Sequence, residues 1–128
     1  MAMFLPTNVR YSLRFLIELK KTNNPISLKK ISQTTKISEN YLKQLAATLE
    51  KHAIVEGKKG PHGGYKILKT DVSLKNLIDI FTEGIKLAPC TQGGFVCTLI
   101  ENCPSTKMWQ ETNKAIEKLF EDIKLENF

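Results

Sequence analysis

ISENYLKQLAATLEKHAIVEGKKGPHGGYKILK, residues 37–69, joins two patterns that belong to different kinds of backbone. Plotted at about 100° per residue, Leu42, Leu45, Ala46 and Leu49 share one side of a helix, the spacing of a core-facing stripe. Asn40, Lys43, Gln44, Ala47 and Lys51 share the other side, so the outer face offers hydrogen-bonding and cationic side chains around one small residue. Ser38 stands where a helix N-cap is needed. Beyond His52 the period changes. Two β-prone pieces, Ile54–Glu56 and Tyr65–Leu68, flank Gly57-Lys58-Lys59-Gly60-Pro61-His62-Gly63-Gly64. Glycine supplies unusual backbone angles and proline fixes one, which predicts a hairpin with an elaborate cationic tip.

Upstream, VRYSLRFLIELKK (9–21) is apolar around most of its circumference. Thr7 or Asn8 is the predicted cap, and Asn23-Asn24-Pro25 the predicted stop. LKKISQTT follows as a short second helix with Ser27 as its cap and Leu28 and Ile31 facing inward, and Lys36-Ile37-Ser38 is a tight turn. Two short helices with a tight turn, the second carrying a polar outer face, are a helix-turn-helix. A basic hairpin after it makes the wing. The expected fold class is mainly α with a small β-hairpin wing, the winged domain spanning 1–70. Its tip is suited to a phosphate backbone or a minor groove, with His62 or Lys59 inserted. The glycines are no nucleotide-phosphate loop, because no helix follows them.

The net charge of +6 is unevenly divided. Residues 1–70 hold 13 Lys/Arg against 4 Asp/Glu, and residues 71–128 hold 6 against 9. A basic half joined to an acidic one suggests nucleic-acid binding on one side of the molecule, double-stranded DNA being the partner a helix-turn-helix most often takes. The run FLIEL is too short for a membrane span and no signal-peptide pattern is present, so a cytoplasmic protein without a membrane partner is expected.

In 71–128, Ser73 is placed to cap LKNLIDIFTE, which ends at Gly84. After an irregular stretch, Pro104 or Ser105 starts a final helix reading TKMWQETNKAIEKLFEDIKLENF. Met108, Trp109, Thr112, Ala115, Ile116, Leu119, Phe120 and Ile123 recur along it at three- and four-residue steps. With little other core left to cover this stripe, it is expected to form a homodimer, which also suits a palindromic operator.

All three cysteines, Cys90, Cys97 and Cys103, lie between Pro89 and Pro104. An odd count in a cytosolic chain argues against a disulfide framework. The spacing lacks the Cys-x2-Cys knuckle of structural zinc sites, and both histidines, His52 and His62, lie in the winged half. Wider spacing with Gly93-Gly94 between thiols suits something bulkier than one ion, and thiolates are the usual ligands of iron–sulfur clusters. Zinc, inert packing thiols and a metal-free redox switch remain open readings at this point. No histidine or acid is placed in sequence to activate a catalytic cysteine, and no nucleotide-binding motif appears, so no enzyme is expected.

The chain resembles the Rrf-type winged helix-turn-helix transcription regulators, the IscR-, NsrR- and CymR-like proteins, over nearly its whole length. RYSLRFLIEL, YLKQL with the GPHGGY wing, the three-cysteine segment and the closing IKLENF carry the likeness. The resemblance implies a homodimeric DNA-binding regulator, a repressor by expectation. DNA would be met by Ser38, Asn40, Tyr41, Lys43, Gln44, Lys58, Lys59, Pro61, His62 and Gly63. Dimerisation would fall to Met108, Trp109, Thr112, Ile116, Leu119, Phe120 and Ile123. It further implies Cys90, Cys97 and Cys103 as ligands of an iron–sulfur cluster, 2Fe–2S ahead of 4Fe–4S, whose state sets DNA affinity. The alternative is a thiol-redox-switched regulator of the same fold. Two departures stand out. The first cysteine interval is longer than in the family, and Thr106 and Arg10 occupy the two positions from which cluster-binding members supply a fourth ligand. That ligand is left to Glu101, a partner subunit, or an exogenous thiol or water.

Overall fold

Helix α1 (Thr7–Lys20) starts on a proline carbonyl: Pro6 O accepts the amides of Val9 and Arg10, at 3.1 Å each. Neither Thr7 nor Asn8 is its N-cap, which corrects the sequence reading by one residue. The computed structural model describes residues 5–88, Thr91 and 103–128. Helices α2 (Leu28–Thr35) and α3 (Glu39–Lys51) begin where their serines require. Ser27 Oγ accepts from Lys30 N and Ser38 Oγ from Tyr41 N, both at 3.2 Å. Between them Lys36 adopts a left-handed conformation (φ 66°), and its amide closes α2 on Ser32 O. That single reversed residue makes the turn of the helix-turn-helix.

The core of this unit is built from the predicted stripe. Leu42, Leu45, Ala46 and Leu49 of α3 are buried with Val9, Phe15, Leu16 and Leu19 of α1, Ile31 of α2, and Ile54 and Val55. Each of these side chains other than Ala46 contributes on the order of 1.5–3 kcal/mol by leaving water. Glu18 is also buried, and it is held by Arg14 at 3.3 Å and Lys21 at 2.9 Å.

Strands β1 (Val55–Lys58) and β2 (Gly64–Ile67) pair antiparallel, Val55 opposite Ile67 and Lys58 opposite Gly64. The segment after α1 adds a third line of backbone: Ile26 N–H donates to Tyr65 O at 2.9 Å and Tyr65 N–H to Ile26 O at 2.8 Å. Gly64, at φ +141°, makes this approach possible, since a Cβ there would lie 2.3 Å from the Ile26 carbonyl. Gly63 is equally constrained, a Cβ falling 2.2 Å from Lys58 O.

Two compact units result. The winged unit runs to Val72 and includes Lys124–Phe128; the other spans Ser73–Ile123. In the winged unit Leu125 is buried and its amide donates to Val72 O at 2.9 Å. Lys20 Nζ donates to Leu125 O at 2.7 Å and also to Phe128 O.

The second unit holds α4 (Leu74–Phe81) and α5 (Thr106–Asp122). A reciprocal capping box starts α4: Asn76 N donates to Ser73 Oγ at 3.1 Å and Ser73 N to Asn76 Oδ1 at 2.9 Å. Leu77 and Ile78 bury its inner face, and Leu74 N donates to Ile123 O at 2.9 Å. The final helix ends at Asp122, short of the predicted run to Phe128, because Leu125 turns into the winged core and Leu125–Asn127 forms one 3₁₀ turn. Among the described residues no helix is long and apolar enough to cross a membrane.

The two wing glycines separate steric from conformational cost. Gly64→Ala is expected to lower the urea unfolding free energy by more than about 2 kcal/mol, through collision with Ile26. Gly60→Ala has the same unfavourable φ sign (+107°) but open space, and should cost about 1 kcal/mol. Equal losses in the two variants would mean that the Ile26 contact does not brace the wing.

Candidate nucleic-acid interface and cysteine segment

The outward side of α3 carries Asn40, Lys43, Gln44, Ala47 and Lys51, all exposed. Ser38 is exposed too, but its hydroxyl is engaged as the cap, so its role is to start the helix. Tyr41 is half-buried. Its ring meets Tyr11 of α1 edge-on, with centroids 5.8 Å apart and planes at 64°. Arg10 lies 5.8 Å over the Tyr11 ring while donating to Leu5 O at 2.8 Å and Thr7 Oγ1 at 3.2 Å.

The wing stands in the same unit. Lys58, Lys59, Pro61 and His62 are exposed, and Gly63 N–H closes the tip on Gly60 O at 2.9 Å. Glu50, from the last turn of α3, accepts the Gly57 amide at 3.4 Å and so ties the recognition-type helix to the root of the wing. An open cleft runs beside the tip, lined by Asn24, Ser27 and Lys30 on one side and Pro61, His62 and Gly63 on the other. Cationic and hydrogen-bonding groups from α2, α3 and the wing thus share one unit whose acidic residues are few. The sequence reading included the outer face and the wing but missed three braces, Tyr11, Glu50 and the Ile26–Tyr65 bridge. Each is a contact between separate elements and leaves no local periodicity.

Of the cysteine-bearing stretch 89–104, the described residues are Thr91, Cys103 and Pro104. Cys90 and Cys97 lie outside the described residues. Cys103 immediately precedes α5, with its sulfur 3.0 Å from Ser105 Oγ. Hydrogen bonding by Ser105, and secondarily by Thr106, holds its thiol below the ordinary value. Thr106 Oγ1 is buried without a full hydrogen bond of its own. At the other end of the segment, Asn113 is the only buried side chain on α5 among the described residues. Its Oδ1 accepts the Leu87 amide at 3.0 Å and its Nδ2 donates to Glu117 at 3.0 Å. Thr91 closes a turn back on Ala88 through both its amide (2.9 Å) and its hydroxyl (2.6 Å). Neither His52, bonded to Thr48 O, nor His62 approaches a cysteine in sequence, and no metal-holding group of three acids, histidines or cysteines occurs among the described residues.

On α5, Met108 (65% exposed), Trp109 (41%) and Leu119 (57%) stand in solvent, as does Thr112, while Ile116, Phe120 and Ile123 are half-covered.

Helix-turn-helix, basic wing and exposed polar α3 face together define a winged helix-turn-helix transcription regulator. The chain belongs to the Rrf2 family, whose model, described as an iron-dependent transcriptional regulator, matches residues 5–128. A putative HTH-type transcriptional regulator of Azotobacter vinelandii is 31% identical over 127 residues, 96% of this chain and 77% of that protein. CymR of Bacillus subtilis is 43% identical over 65 residues, 49% of this chain and 47% of its own. Among solved structures, B. subtilis CymR, described as the global cysteine regulator of that organism, superposes with a TM-score of 0.79 at 28% identity, covering 98% of this chain and 95% of that one. T. potens IscR gives 0.71 at 26% identity, covering 98% and 85%. These relatives are regulators rather than enzymes.

The Ser105 contact has a direct readout. In metal-free, reduced protein the pH midpoint for alkylation of Cys103 should lie below that of an ordinary thiol, and Ser105→Ala should move it upward. Mass-mapped iodoacetamide rates across pH 6–10 check this, and an unmoved midpoint would remove Ser105 as the cause.

Proposed function

We propose that this protein is a cytoplasmic homodimer that binds palindromic duplex DNA and represses transcription, with the 85–103 segment setting its affinity. The observation that carries the reading is the grouping of exposed Asn40, Lys43 and Gln44 on α3 with the exposed wing lysines, Lys58 and Lys59, in one braced unit. The α3 face has the right chemistry for base edges: Asn and Gln pair with adenine, Lys with guanine. Lys58, Lys59 and the Pro61–Gly63 tip suit phosphates or the minor groove. The winged domain is taken as 1–70 and the sensor and dimer region as 71–128. Met108, Trp109, Thr112, Ile116, Leu119, Phe120 and Ile123 would meet their counterparts in a second copy, placing two reading surfaces on one duplex.

Lys43→Ala or Gln44→Ala should change the sequences that the protein selects from a random duplex pool. Lys58→Ala should weaken all duplexes alike and reduce the salt slope by about 0.9 per subunit, about 1.8 for the dimer. If all three variants behave identically, α3 is not the reading element. Leu119→Glu, at an exposed apolar site, should convert a dimer into a monomer in sedimentation equilibrium; an unchanged mass would exclude α5 as the interface.

Cys90, Cys97 and Cys103 would hold an iron–sulfur cluster, 2Fe–2S in preference to 4Fe–4S. The one described donor fits: Cys103 is half-buried with a free thiol, and its neighbouring hydroxyls favour the thiolate that metal coordination requires. When bound, such a cluster supplies oxidation-sensitive iron–thiolate bonds. The chain's own part is to present Cys103 at the head of α5 and to hold the other end of the segment through Asn113 and the Ala88–Thr91 turn. The fourth position is open to Glu101, a partner residue or an exogenous ligand. Anaerobic protein should be coloured and contain iron and sulfide, and it should lose both with Cys103→Ala. Colourless, iron-free protein would contradict the assignment.

A metal-free thiol switch is favoured by one specific observation. The Arg10 guanidinium is committed to Leu5 O and Thr7 Oγ1, and by the resemblance Arg10 and Thr106 stand where cluster-binding members supply a fourth ligand. A Cys90–Cys97 or Cys97–Cys103 disulfide after peroxide, found by non-reducing mass mapping, would identify that mode.

A further inference from the structure

We infer that Tyr11 is a positioning residue for sequence recognition: its ring, on α1, holds the Tyr41 ring in the orientation from which α3 meets DNA. The inference rests on the reading of α3 as the DNA-facing helix. Tyr41 is the third residue of α3, in the turn whose amides Ser38 caps, at the end of the helix that enters a groove. An aromatic side chain there has two torsions to fix before it can make a directed contact. The Tyr11 edge contact, at 5.8 Å and 64°, is the arrangement ring quadrupoles favour. Tyr11 itself is poorly placed to be core, being 36% exposed while its α1 neighbours Phe15, Leu16 and Leu19 are buried. Its own ring is in turn covered by Arg10, at 5.8 Å, whose guanidinium is tethered to the start of α1 by two hydrogen bonds. A chain of contacts therefore runs from the start of α1 to the reading end of α3: Leu5 and Thr7 to Arg10, Arg10 to Tyr11, Tyr11 to Tyr41.

Without the Tyr11 ring, Tyr41 would have to be ordered at the moment of binding. Immobilising one such side chain costs about two- to tenfold in affinity, and a dimer carries two. The loss should fall on the preferred sequence, because Tyr11 neutralises no phosphate. This separates it from the lysines, whose removal acts on all sequences and on the salt slope.

The test is a double-mutant cycle on the full-length protein, using the duplex that wild type selects from a random pool and a scrambled duplex of equal length. Tyr11→Ala should weaken the selected duplex by about four- to hundredfold, leave the scrambled duplex and the salt slope unchanged, and have no further effect in a Tyr41→Ala background. Tyr11→Phe keeps the ring and should restore wild-type discrimination, which guards against a simple folding defect, as does an unchanged thermal midpoint. Equal weakening of both duplexes by Tyr11→Ala, or additive losses in the cycle, would overturn the inference. If Tyr41→Ala itself leaves selection untouched, the reading of α3 and the inference fail together.

Discussion

A single close approach of backbone to backbone, Ile26 against Tyr65, governs how the wing is set against the helix-turn-helix. Two hydrogen bonds of 2.8 and 2.9 Å exchange there, and they form because Gly64 carries no side chain. The contact pins the α1–α2 connection to β2, so the N-terminus of α2 and the wing are fixed with respect to each other. Glu50 adds a second tie, from the last turn of α3 to the first strand. Phe15 of α1 stacks edge-on with Tyr65 at 6.2 Å and closes the bracing from beneath. A wing held on three sides is a pre-ordered surface, and pre-ordering removes part of the entropy lost when a charged loop docks on a duplex.

Polar groups in this unit are divided between building and presenting. Ser27, Ser38 and Glu50 spend their hydrogen-bonding capacity on backbone amides, while Asn40, Lys43, Gln44, Lys58 and Lys59 remain exposed. The second unit shows the opposite economy. Its helix α5 buries one polar side chain, Asn113, and leaves Met108, Trp109 and Leu119 in solvent. The buried Asn113 amide accepts the Leu87 N–H, while the large apolar side chains of the same helix are exposed or half-covered.

Local signals read well from the sequence. The three serine caps, the span of α2 and the inward stripe of α3 all depend on residues within a turn of one another, and each is present. The start of α1 was misplaced because a proline carbonyl served where a hydroxyl was expected. The end of α5 was overrun because Leu125 is buried by the winged core, and its apolar character fits a helical stripe equally well. Tyr11–Tyr41, Glu50–Gly57 and Ile26–Tyr65 join residues from different elements, and no single-chain periodicity encodes such pairs. Of the cysteine triad, only Cys103 falls within the described residues, so its reading as a ligand set stands on spacing and resemblance.

Hydroxyl-radical footprinting of the full-length protein on its selected duplex tests the central claim most directly, that two braced winged units read DNA together. The account expects two protected patches centred about 10 bp apart, or a multiple of that, with protection extending into the minor groove where the wings reach. One unrepeated patch, or protection that does not depend on duplex sequence, would contradict it.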